Sequence, residues 1–218
     1  DNNCDAGDRA RWVYIMPGSD SGWRIGYQFD GAQGPRGPWM AEKLWHPHHA
    51  GQPAWIVPPI ANLADGPSGL VHYPGVGLPA RYDDHFFLAD FRGGPGNSGI
   101  RSFANKPKGA GFELADSHQY LWRMLATDVD FATDGAMIVS DWVDGWGLSG
   151  KGRLWRLADE KLTTSMPATG SKRYLGEGFA KRPLDELGRL LGHIDRRVRQ
   201  EAHLELASRG KTGRAMLE

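Results

Sequence analysis

Between residues 127 and 157 the apolar positions follow strand spacing, interrupted by turn residues. Val129 and Phe131 alternate with Asp128 and Asp130, the period-two pattern of a half-buried strand. Asp134 and Gly135 follow as a two-residue hairpin turn, because Gly adopts positive φ without steric cost and Asp tolerates it. Residues 136–140 read as a buried strand, and Leu154, Trp155 and Leu157 as a closing one. The loop between them carries Asp141, Trp142, Asp144 and Trp146. Upstream, residues 69–73, 85–91, 99–103 and part of 112–123 have strand character. Turn signals at Pro74 and Gly75, at Asp83 and Asp84, and in a Gly-rich loop at 93–97 connect them.

The pattern changes after residue 159. Residues 160–182 are rich in Thr, Ser and Gly and read as a linker. Pro183 then opens a helix with Leu184, Leu187, Leu190 and Leu191 at helical spacing. Asp195 is the expected N-cap of a second helix bearing Val198, Ala202, Leu206 and Ala207 and ending before Gly210. The expected organisation is a mainly β unit over 1–159, a linker over 160–182 and the start of a helical array over 183–218.

Composition sharpens this boundary. All 9 Trp precede residue 160, and with 30 Gly they suit a turn-rich β architecture. The zero net charge hides an asymmetry: residues 1–160 carry 14 Lys and Arg against 19 Asp and Glu, whereas residues 161–218 carry 12 against 7. The basic residues Arg196, Arg197 and Arg199 read as a solvated helical face, not as a nucleic-acid footprint. The single Cys4 has no partner for an internal disulfide, and no CxxCH haem-attachment motif occurs. No apolar run approaches membrane-spanning length.

Three groups are candidates for chemistry. Asp1, Asn3, Asp5 and Asp8 place oxygen donors close together in one loop, which fits a calcium site or a turn with local Asx hydrogen bonds. His46, His48 and His49 fit a metal site, a base or a pocket rim, with Pro47 holding the stretch extended. The strand-end residues Asp90, Arg92, Asp141, Trp142, Asp144 and Trp146 lie where loops of a β unit meet. Trp142 and Trp146 fit stacking on a sugar ring or a quinone face, or packing between sheets.

The order of strand, Asp-Gly turn, strand ending in Asp141 and Trp142, then GRLWRL at 152–157 resembles a blade of the soluble glucose/sorbosone dehydrogenase group of β-propellers. Residues 68–123 resemble the preceding blade. Residues 1–28 are similar to a segment of the large multidomain dehydrogenase-like proteins of planctomycetes, in which a propeller, HEAT-type helical repeats and a c-type cytochrome domain follow one another. The resemblance implies a partial β-propeller of two to three blades followed by a short HEAT-like segment. A propeller needs at least about four blades, so the chain reads as a fragment.

It also implies a sugar or alcohol dehydrogenase, in the periplasm or outside the cell, that passes electrons to a cytochrome domain whose haem lies outside this stretch. Calcium is implied at the acidic loop, followed by the turn Ser21, Gly22 and Trp23. Pyrroloquinoline quinone is the family's cofactor, contacted by a Lys where this chain has Arg92. Where the family has paired arginines, the chain has Leu125 and Thr127, and its Trp-Pro-Thr cofactor contact is replaced within Asn62, Leu63, Ala64 and Asp65. The family's general base is a His from an earlier blade. The alternatives are a non-catalytic propeller module binding glycans or proteins, and a calcium-dependent lactonase-type hydrolase.

Overall fold

The fold is described for residues 10–19, 49 and 59–218 of a computed structural model. Strands β3 (Pro67–His72), β4 (His85–Asp90), β5 (Gly99–Lys108) and β6 (Gly111–Trp122) form a four-stranded antiparallel meander in chain order. Strands β7 (Ala126–Phe131), β8 (Met137–Asp141) and β9 (Arg153–Leu157) form a second, three-stranded one. A short ribbon of β1 (Arg11–Trp12) and β2 (Ala61–Asn62) completes the β portion among the described residues.

Strand β4 explains how the layers stack. Its sequence HFFLAD is apolar at the four central positions in succession, as expected of a strand covered on both faces. Phe87 and Ala89 join Ile100, Val129, Phe131, Met137 and Val139 in the core between the two meanders. Phe86 and Leu88 face the other way, against Phe103, Leu63 and Trp12. The Trp12 ring meets Phe86 and Phe103 edge-on, at 5.0 Å from each. Each large apolar side chain buried in these layers contributes about 1.5–3 kcal/mol.

The β7–β8 turn is one residue longer than expected. Ala132 N donates to Ala136 O and Gly135 N to Ala132 O, enclosing a three-residue loop of Thr133, Asp134 and Gly135. Only Gly135 takes positive φ (82°); Asp134 instead accepts a hydrogen bond from Ala136 N. This is the type I turn plus Gly bulge, which matches strand twist as well as the two-residue turn does.

The segment expected as a linker is helical. Helix α1 (Glu160–Thr163) is capped by Asp159, and α2 (Met166–Glu177) begins with Pro167 in its first turn. The hydroxyls of Thr164 and Thr169 donate to carbonyls one turn back, so residues that favour loops are accommodated here. Helices α3 (Leu184–Leu190) and α4 (Arg196–Ser208) then pair through Leu187, Leu190, Val198, Ala202 and Leu206, followed by α5 (Lys211–Arg214). The mainly β expectation therefore holds only as far as Leu157. The described chain is a mixed structure of small antiparallel sheets and helices, and its sheets do not close into a ring.

The helices are tied to the sheets by polar contacts. Arg197 Nη1 donates to Phe131 O and Ala132 O, and Arg196 N donates to Pro74 O. The supposed solvated arginine face is thus partly a docking surface.

Candidate functional site

Antiparallel register aligns Pro67 with Asp90, Asp90 with Gly99 and Gly99 with Trp122 in one sheet, and Asp141 with both Ala126 and Arg153 in the other, and Phe91 against Trp142 and Trp146 brings the two sets of strand ends together. Asp90 anchors this end. Its carboxylate is fully buried (0 % exposed) and accepts from Asp65 N, Gly66 N, Arg92 Nε and Arg101 Nε. Burial pushes its pKa up, but the two backbone N–H groups and the Arg101 guanidinium outweigh that and hold it below the usual carboxylate value. Arg92 also pairs with Asp65 at 2.9 Å, and both guanidinium groups lie over the Trp122 ring.

Beside this network stands an aromatic group. Trp142 and Trp146 meet edge-on at 5.0 Å, and Phe91 approaches them at 6.0 and 6.3 Å. Trp146 is 67 % exposed. Asp141 shapes the loop that presents them: its Oδ1 accepts from Val143 N and its Oδ2 from Trp155 Nε1. Val143 is thereby held at φ 63°, a conformation that a β-branched residue rarely adopts. Strain of this kind concentrates at ligand sites, where surrounding contacts over-determine it. A cleft of about 360 Å³ opens next to Trp142, lined by Thr127, Ser140, Asp141, Arg153 and Leu154. The Thr127 and Ser140 hydroxyls are 2.7 Å apart, and Arg153 lies over the Trp155 ring.

The structure brings Arg92, Asp141, Trp142, Asp144 and Trp146 to this one end. Asp141 holds Val143 N and the Trp155 indole, and Arg92 holds the carboxylates of Asp65 and Asp90, whereas Asp144 is exposed. His49 lies in an exposed bend. Asp1, Asn3, Asp5, Asp8, His46 and His48 lie outside the described residues, as do Ser21, Gly22 and Trp23. Leu125 is buried in the core and Thr127 bonds Ser140, so neither takes over the role of a paired arginine. Among the described residues no group of three or more His, Cys, Asp or Glu side chains is placed to hold a metal ion, and no helix is long and apolar enough to cross a membrane.

Sequence reasoning missed Arg101, Trp122, Ser140 and Arg153 at this end, and named Thr127 only as standing in place of a family arginine. Their period-two placement on strands was visible, but not which strand ends meet. It also missed a second polar cluster toward the opposite end of the four-stranded sheet. There His85 is buried, with Nδ1 at 2.7 Å from Ser102 Oγ and Nε2 at 3.4 Å from Asp116. Asp116, at φ 42° beside irregular β5–β6 register, also meets Arg81 and His118. Burial keeps His85 below its usual pKa against the pull of Asp116.

No family model matches this chain, and no curated protein or solved structure matches it either.

Proposed function

We propose that the strand-end site binds a saccharide without transforming it, on a scaffold of propeller-blade type akin to the glucose/sorbosone dehydrogenases. The observation that carries this reading is exposed Trp146, with half-buried Trp142 and Phe91 behind it, beside a cleft whose lining includes two hydroxyls and a guanidinium. An aromatic face offers apolar contact to the C–H side of a sugar ring, while Thr127, Ser140 and Arg153 offer hydrogen bonds to its hydroxyls. The carboxylates Asp90 and Asp141 at this end are already occupied by donors, which leaves proton transfer there to exposed Asp144. The blade reading is supported by a four-stranded meander stacked on a second meander of the same order, and the HEAT-like reading by the α3–α4 pair.

Titration with a panel of neutral and acidic oligosaccharides, followed by tryptophan fluorescence, tests the binding reading. Saturable quenching is expected, and Trp146→Ala is expected to weaken binding about tenfold, equivalent to about 1.4 kcal/mol. Identical affinity in Trp146→Ala, or no saccharide response at all, would overturn it.

A second reading is an exported oxidoreductase that passes electrons to a cytochrome acceptor. It is favoured by Arg92, a cation where the related dehydrogenases contact their quinone. The described residues do not fit that cofactor, however, since Arg92 is held by Asp65 and Asp90, and Leu125 and Thr127 supply no charge for the quinone carboxylates. Dye reduction by aldoses in the presence of pyrroloquinoline quinone and calcium would restore this reading and displace the binding one.

A further inference from the structure

The helices meet the sheets through the first turn of α4, and one acceptor in that contact can take up a proton. Asp195 is fully buried and caps α4 by accepting from Arg197 N. Its two carboxylate oxygens also pair with Arg197 Nε and Nη2, at 3.1 and 2.8 Å. Arg197 Nη1 reaches across to Phe131 O at 2.8 Å and Ala132 O at 2.9 Å, and Arg196 N reaches Pro74 O at 2.9 Å. Where α4 starts, Ile194 O lies against Gly75, leaving no room there for a Cβ.

Asp195 N donates to His193 Nδ1 at 3.0 Å. A ring nitrogen that accepts must carry a lone pair, so His193 is neutral here, with its proton on Nε2. A second proton has to enter at Nδ1, where it turns the acceptor into a donor facing another donor. That bond then breaks, leaving the position of Asp195 to its bonds with Arg197. Facing His193 are the Asp195 carboxylate, which favours the cation, and Arg199, which opposes it while its Nη1 donates to His193 O and Ile194 O. From α2, Tyr174 meets the ring edge-on at 5.6 Å, and Gly170 lies near Nε2. Across the junction His72, at the end of β3, faces Arg196 and Arg199 as like charges and Asp84 as an opposite one, with Phe86 against its ring.

We propose that this junction is a proton-operated latch: protonation of His193 breaks its bond to the Asp195 amide and so loosens the hold of the α4 first turn on the sheet pair. Burial, the leading influence on both His193 and His72, also disfavours their charged forms in the docked state. Docking is therefore complete above the usual histidine value of 6.5 and weakens as the pH falls below it.

Hydrogen exchange of the Arg196 and Arg197 amides, corrected for intrinsic rate, reads the latch in the whole chain at pH 7.5 and 5.0. Wild type is expected to lose protection several-fold at pH 5.0. His193→Asn keeps an acceptor oxygen near the Nδ1 position but cannot titrate there, so its protection is expected to change much less. An equal loss in both proteins, or none in wild type, would overturn the proposal. If His193→Asn does not fold, an NMR titration of the wild-type ring decides. A transition that coincides with loss of the Asp195 amide bond supports the latch, and a ring that protonates with that bond intact overturns it.

Discussion

At Asp90 a carboxylate taken fully out of water is offset by two backbone N–H groups and two guanidinium groups. Asp90→Asn leaves Arg101 without its counter-charge and Arg92 with Asp65 alone, and chemical denaturation should show a loss of about 3 kcal/mol. The group's pKa is depressed in the folded protein, so its contribution is present above the usual value of 3.8 and is lost as the pH falls below it. Val143 works in the other direction, since its φ of 63° costs stability. Val143→Gly should raise stability by up to about 1 kcal/mol while weakening any ligand that needs the Trp142–Trp146 arrangement. A thermal melt combined with the saccharide titration separates the two effects. Asp90 and Arg92 were legible as strand-end charges. Arg101 was not, because only the β4–β5 register carries it across 11 positions to Asp90.

Among the elements, the β7–β8 hairpin shows how one residue serves two demands. Gly135 takes positive φ in the turn, and its backbone also lies directly against Val76 and Gly77, so a Cβ has no space. Gly135→Ala should cost at least about 2 kcal/mol, read as a lower urea midpoint, because strain and clash act together. A normal midpoint would show that the loop shifts freely. The turn itself was readable from Asp134 and Gly135, but its length was not, since two- and three-residue loops share the same residues. Helix α2 was misread because Thr, Ser and Gly are ambiguous in composition. The Ser165, Met166, Pro167 order was the signal available for its start.

For the whole molecule, acid is the expected weakness. His72, His85 and His193 are all held below their usual pKa chiefly by burial, so the folded state resists protons that the unfolded chain accepts. Stability should be greatest above the usual value of 6.5 and decline as the pH falls through the window beneath it. Urea unfolding at pH 7.5 and 5.5 checks this; equal midpoints would mean that these histidines titrate alike in both states.

The sequence by itself determined where the strands β3, β4 and β6 to β9 lie to within a few residues, the first half of β5, the α3–α4 pair with its Asp195 cap, and the change of character near residue 160. These follow from period-two and helical spacing, turn residues and caps, all of which act within a few positions along the chain. Only the tertiary structure decided that Asp90 is satisfied and unavailable, that Trp142 and Trp146 stand beside Phe91, and that Arg197 holds helix to sheet. Those arrangements depend on register and on the stacking of layers, which bring together residues far apart in sequence and set the burial that governs their charge.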